Sequence, residues 1–162
     1  MHRSLISKRE GASLPGPEFL GLARAVLGRG ASFRFRASGG SMAPFIREGD
    51  LLTIRPLADN APHLGDIVAF IHPDRERLTV HRIIGRRNGA CLLRGDNASR
   101  PDGWVPWTKV LGRLETADRR GRRVRIGFGY DRLAFAVLLR LGLLRTILAP
   151  VRLAARLQRE TA

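Results

Sequence analysis

The chain has 162 residues and a mass of 17.9 kDa, of which 44% are hydrophobic and 27% charged. That is one domain's worth of core, and it excludes disorder as the main state. The single Cys91 excludes an intrachain disulfide and a cysteine-built zinc site, and nothing in the pattern calls for a metal or a cofactor.

The charge is unusual. Basic residues number 29 against 14 acidic, leaving +15, and all of the basic residues except Lys8 and Lys109 are arginine. Such a surface attracts nucleic acid, anionic lipid or acidic peptide, or is a solvated basic face. Nucleic-acid binding is the least favoured of these, since no helix-turn-helix precedes the β region described below.

Residues 1–16 are polar and loose in composition. Pro17 opens a helix in which Phe19, Leu20, Ala23, Val26 and Leu27 share a face, and Gly28 and Gly30 stop it. Ser32–Arg36 alternates as a strand. From residue 50 to 128 the signal is β, with strands predicted at Leu51–Arg55, Ile67–Ile71, Leu78–Ile84, Ala90–Arg94, Val110–Leu114 and Arg122–Phe128. Asn88-Gly89 predicts a type I′ hairpin turn, and Arg120-Gly121 a weaker one. The expected organisation is an N-terminal tail and short helix over 1–30, a mainly β, antiparallel domain over 31–128, and a basic amphipathic helical tail over 129–162.

That tail is apolar and studded with arginine. Residues 119–162 hold 11 arginines against Asp131 and Glu160, so +9 of the +15 lies there. Helix is predicted from Asp131 to Ala149 and again after Pro150. Arg145, Arg152, Arg156 and Arg159 would then face an anionic membrane, with Leu138, Leu141, Leu148 and Leu153 dipping into it. Leu133–Pro150 is the longest apolar stretch. Arg140 and Arg145 interrupt it short of the roughly 18 residues of a spanning helix. The N-terminus lacks the apolar core of a secretory signal. The expectation is a cytoplasmic chain, peripheral at the membrane through 131–162; the oligomeric state is left open.

Three segments carry chemistry. Gly39-Gly40-Ser41-Met42-Ala43-Pro44 puts a serine on a glycine-rich turn that a substrate chain can approach closely. Val80-His81-Arg82-Ile83-Ile84 is a strand whose alternation sets Thr79, His81 and Ile83 on one face and Val80, Arg82 and Ile84 on the other. Gly95-Asp96-Asn97-Ala98-Ser99-Arg100-Pro101-Asp102 is a loop with two carboxylates, each able to cap a turn or to orient a histidine. The other histidines, His2, His63 and His72, read as solvated.

In this order the three segments resemble the signal peptidase family. SMAPFIREGDLLTI is similar to its nucleophile box, VHRIIG to its base box and RGDNASRPD to its acidic box; LGDIVAF and VLGRL resemble flanking strands. The resemblance covers Phe33–Leu114. It implies the family's antiparallel β fold and, because histidine stands where the bacterial housekeeping enzymes have lysine, the Ser–His style of the endoplasmic-reticulum type. On that basis Ser41 is the nucleophile and His81 its base. Asp102 falls where the relatives have the triad acid, with Asp96 as the supporting or alternative acid. The oxyanion hole would use the backbone of Ser41 and Met42, and Gly39, Gly40, Met42 and Pro44 would line the substrate. Gly39 occupies a position where relatives often carry an oxyanion-binding serine, and the short Pro17–Leu27 helix stands in place of a membrane span.

The implied function is a serine endopeptidase cleaving a signal- or leader-type peptide or protein precursor after small residues. The alternatives are a non-catalytic basic module that binds peptide, lipid or nucleic acid on the same fold, and a self-cleaving regulator of the SOS-repressor kind.

Overall fold

The first apolar helical stripe forms α1 (Gly16–Gly28), which buries Leu20, Ala23 and Leu27. It closes as a helix closes on a left-handed glycine: Gly30, at φ 76°, donates to the Leu27 carbonyl, and the Ala31 N–H reaches the Val26 carbonyl. The computed structural model describes residues 16–57, 61–125 and 131–143.

Among the described residues eight strands follow: β1 (Phe33–Arg36), β2 (Leu51–Pro56), β3 (Ile67–Ile71), β4 (Leu78–Arg87), β5 (Ala90–Arg94), β6 (Gly103–Pro106), β7 (Val110–Arg119) and β8 (Arg122–Arg123). They form a single antiparallel sheet in the order β1-β2-β7-β3-β4-β5-β6, with β8 paired to β7. The fold is therefore mainly antiparallel β with a short helix at each end. β3 lies at its centre and is buried along its whole length. Ile67 and Ala69 join the core under α1, while Val68 and Phe70 join a second core with Ile83, Cys91, Leu93, Val105 and Val110. Burial on both faces explains why IVAFI reads as an unbroken apolar run.

Several expectations need correction. β6 escaped the sequence reading because four residues beginning at a glycine and ending at a proline carry no alternation to detect. β4 continues past Ile84, where a bulge shifts its register against β5, to Arg87, and β7 runs on to Arg119. β8 is two residues long, and residues 126–128 of the strand expected there lie outside the described residues. The weaker of the two hairpin signals is the one that forms the type I′ turn. At Asn88-Gly89 only the glycine has positive φ, so the turn is not type I′. Arg120 and Gly121, at φ 50° and 76°, both take the left-handed conformation that type I′ requires.

The C-terminal helix is shorter than expected. α2 (Arg132–Arg140) ends not at Pro150 but at Gly142, whose φ of 76° lets its own N–H reach the Leu139 carbonyl and the Leu143 N–H reach the Leu138 carbonyl. Its buried side packs Leu139 on Ile84 and Phe45, with the Phe45 and Phe135 rings 4.6 Å apart. Three arginines pin it. Arg94 donates to the Leu139 carbonyl at 2.7 Å, Arg140 to the Ile84 carbonyl at 3.1 Å and Arg132 to the Asp66 carboxylate at 2.6 Å. Leu138 is half-buried against this core rather than free, whereas Leu133, Val137, Leu141 and Leu143 are exposed. Arg145, Leu148, Arg152, Leu153, Arg156 and Arg159 lie outside the described residues. Among the described residues no helix is long and apolar enough to cross a membrane.

The turn over residues 41–50 is tied to β7 by Asp50, which is buried. Arg119 donates Nε to its Oδ1 at 2.8 Å and Nη2 to its Oδ2 at 2.7 Å, and the Arg47 N–H adds a third bond at 2.8 Å. Burial alone would raise the Asp50 carboxyl; the Arg119 and Arg47 hydrogen bonds outweigh it and hold the group below its ordinary value of 3.8. A depressed carboxylate stabilises the fold above its unfolded-state value, and the contribution is lost as the pH falls through the folded-state value. The urea midpoint should therefore fall on acidification below about pH 4. Asp50→Asn should lower the midpoint at neutral pH and flatten that acid limb. An acid limb of unchanged steepness in the variant would assign it to other carboxylates.

Candidate active site

Strand alternation in β4 aims successive side chains at opposite faces, and the structure keeps the expected set. His81 pairs opposite Val68 and lies with Phe70 and Ile83, while Arg82 points to the α2 side. His81 is 6% exposed. Its Nε2 is 3.0 Å from the Ser41 hydroxyl and its Nδ1 is 2.6 Å from Asp102 Oδ2. A carboxylate only accepts, so Nδ1 carries the proton and Nε2 is free to accept from the Ser41 O–H. Ser41 is exposed on its turn. A hydroxyl, an imidazole and a carboxylate from three distant segments thus form one hydrogen-bonded line, open to solvent at the serine end.

Asp96, the alternative acid, is turned away from His81. It is fully buried, and both its oxygens are taken by Arg82, from Nε and Nη2, each at 2.8 Å. Arg82 also donates to the Gly65 carbonyl at 2.9 Å. Asp96 is thus the anchor of the 95–102 loop, and Asp102 is the carboxylate that the loop delivers. The delivery depends on β6. The Asp102 N–H donates to the Leu93 carbonyl at 2.9 Å, and Gly103 then pairs with Leu93.

The same loop holds the serine turn. The Asn97 N–H donates to the Ser41 carbonyl at 2.8 Å and Asn97 Nδ2 to the Gly40 carbonyl at 3.0 Å, while the Asp96 N–H lies 3.4 Å from Met42 Sδ. Met42 was expected to line the substrate; its side chain is instead buried in the core under α1. Gly39 and Gly40 are exposed, with open space where a Cβ would stand, and Pro44 is half-buried. Neither the Ser41 nor the Met42 N–H donates to another group among the described residues.

His63 is exposed, as expected, and His2 lies outside the described residues. His72 is a correction. It is 7% exposed, and its Nε2 is 3.5 Å from Asp102 Oδ1. It read as solvated because a histidine between Ile71 and Pro73 marks the end of a strand, and only the hairpin that follows folds it back over the carboxylate. Asn97 and Gly95 were likewise not singled out, although both lie in the quoted loop. The one remaining nucleophile of note is inert: Cys91 is buried, and burial pushes its thiol up to about 11.

An exposed serine hydrogen-bonded to a buried histidine–carboxylate pair is an arrangement in which an imidazole can take the proton of a hydroxyl. Residues 10–114 match the model of the Peptidase S24-like family, a span that includes Ser41, His81 and Asp102, and the chain belongs to that family. Its fold serves serine peptidases and self-cleaving regulators alike. No curated protein matches the sequence.

Gly95 gives the site its tightest steric test. A Cβ there would stand 2.6 Å from the Ser41 carbonyl oxygen and 2.9 Å from His81 Nε2. Neither can yield without opening the serine–histidine contact. Displacement of a reacting pair by about 1 Å costs about 10²-fold in rate. Gly95→Ala should therefore slow covalent labelling of Ser41 by a fluorophosphonate by about that factor, with the circular dichroism spectrum unchanged. Labelling at the wild-type rate would mean that the two loops do not meet this closely in solution.

Proposed function

We propose that this chain is a serine endopeptidase of the Ser–His type that cleaves a signal- or leader-type peptide precursor after small residues. The observation that carries the reading is the position of His81, 3.0 Å from the Ser41 hydroxyl and 2.6 Å from the Asp102 carboxylate. A serine hydroxyl is a weak nucleophile until a base takes its proton. In this reading His81 takes it as Ser41 attacks the scissile carbonyl, and returns it to the leaving amine. Asp102 holds the tautomer and stabilises the imidazolium between the two steps. The Ser41 and Met42 N–H groups, which have no acceptor among the described residues, would receive the oxyanion.

The substrate would lie as an extended strand beside the serine turn. Among the described residues β1 pairs only with β2, which leaves its other edge open, and the chain runs from that edge through residues 37–40 to Ser41. The exposed, side-chain-free Gly39 and Gly40 leave room for it.

The test is covalent labelling with a fluorophosphonate probe. Wild-type protein should label, and Ser41→Ala and His81→Ala should not. Asp102→Asn should lose up to about 10⁴-fold in rate while remaining folded, by analogy with the loss of the orienting acid in other triads. Asp96→Asn should instead destabilise the fold by about 3–5 kcal/mol, because it strands the Arg82 charge in the interior. Absence of any Ser41-dependent labelling would make the chain a binding module on a peptidase fold. Ser41-dependent fragments of the chain itself would make it a self-cleaving regulator.

A membrane setting fits the exposed surface. α2 leaves Leu133, Val137 and Leu141 in a row at four-residue spacing, with Leu143 beyond them, in a region of net charge +9 over residues 119–162. Apolar insertion combined with basic charge is the pattern of in-plane attachment to an anionic bilayer. The full chain should sediment with vesicles containing phosphatidylserine, less so at high salt, and not with neutral vesicles. The triple variant Leu133→Ser, Val137→Ser, Leu141→Ser should lose most of that binding. Equal sedimentation of the variant and the wild-type chain would remove α2 from the contact.

A further inference from the structure

Asp102 has two imidazoles, and the proposed chemistry uses only one. Oδ2 faces His81, while Oδ1 faces His72 Nε2 at 3.5 Å; the His72 side chain is 8% exposed and that of Asp102 10%. His72 is the first residue after β3, and the hairpin fixes its backbone. Its N–H donates to the Arg77 carbonyl at 3.0 Å, and its carbonyl accepts from the Glu76 N–H at 3.0 Å. Its ring packs near Phe70, with centroids 6.2 Å apart and an interplanar angle of 30°, and Phe70 in turn contacts His81.

The tautomer follows from the other ring nitrogen. The Asp74 N–H donates to His72 Nδ1 at 3.2 Å, so Nδ1 is an acceptor and bears no proton. A neutral imidazole in that state carries its proton on Nε2, the atom aimed at Asp102. The carboxylate thus faces an imidazole N–H at each oxygen, in a short hydrogen bond at Oδ2 and in a longer polar contact of 3.5 Å at Oδ1. Without the second donor, a carboxylate on the start of a four-residue edge strand can turn about its own side-chain bonds and leave His81.

We infer that His72 is a positioning residue for the serine site, which presents its Nε2–H to Asp102 and so keeps the other carboxylate oxygen on His81. The inference rests on the triad reading of Ser41, His81 and Asp102, but its physical core, the hold on Asp102, is measurable without catalysis.

Two variants separate a donor from a mere filler. His72→Phe keeps an aromatic ring against Phe70 and removes the donor. His72→Gln loses the ring and keeps an N–H near the position of Nε2. The first readout is the NMR resonance of the His81 Nδ1 proton, which a short bond to Asp102 holds far downfield. It should move upfield and exchange faster in His72→Phe and stay close to wild type in His72→Gln. The second is fluorophosphonate labelling of Ser41, which should fall about tenfold in His72→Phe and no more than about threefold in His72→Gln, the difference expected for one polar contact to a charged group. His72→Leu serves as a second donor-free variant should the phenylalanine not be accommodated, with the same expectation.

A wild-type resonance and labelling rate in the donor-free variants would overturn the inference. Equal losses in His72→Phe and His72→Gln would overturn it too, since no rescue would follow the donor. Ser41→Ala distinguishes the levels. Labelling that persists there sinks the serine reading, while the resonance still decides whether His72 holds Asp102.

Discussion

The buried ion pair between Arg82 and Asp96 is the contact on which the rest of the site depends. Both side chains are fully excluded from solvent, and the guanidinium grips the carboxylate through two parallel bonds. Such a pair adds little net stability over an apolar core, but breaking it is expensive because one charge remains stranded. Its value here is geometric. Arg82 follows His81 in β4, and Asp96 begins the loop that ends in Asp102. Locking one to the other sets the His81 strand against the Asp102 loop. The same guanidinium reaches the Gly65 carbonyl and lies about 6 Å from the Phe45 and Phe135 rings, so the α2 layer is referred to the same point.

From that anchor the loop works in two directions. Asn97 holds the serine turn by two backbone carbonyls, and Asp102 holds the imidazole. Ser41, His81 and Asp102 are therefore brought together by one stretch of eight residues docked on the sheet, and a Cβ at its Gly95 would stand 2.6 Å from the Ser41 carbonyl oxygen. Strand alternation does the sorting. His81 faces the chemistry and Arg82 the scaffold, because neighbours in a strand point to opposite faces.

The arginine content takes on a second meaning in this light. A formal charge of +15 invites a reading of the surface, yet several of these arginines are struts that tie one segment to another. Arg119 holds Asp50 and the Phe45 carbonyl, Arg94 collects the carbonyls of Ala98, Ser99 and Leu139, and Arg132 reaches Asp66. A planar group with five donors can join two segments through backbone oxygens in a way that lysine cannot. The charge is thus shared between scaffold and surface, and the exposed apolar row of α2 lies next to some of these same struts.

What the sequence by itself determined was local. The period of α1, the unbroken apolar β3, the face of β4 that carries His81 and the order of the three chemical segments all follow from side-chain patterns that act within a few residues. The trio of Ser41, His81 and Asp102 was legible only through the ordered segments that resemble a known family. What only the tertiary structure decided was long-range. Nothing in the sequence separates Asp96 from Asp102 by chemistry; burial beside Arg82 does. β6 exists because β5 offers it an edge, and not by its own alternation. His72 looked solvated because its neighbours say strand end, and it became part of the site when the hairpin folded it onto a carboxylate thirty positions away. Met42 went the other way, from presumed substrate contact to core. Spacing along the chain predicts faces and periods, whereas which buried charge finds which partner depends on segments that meet only when the sheet is assembled.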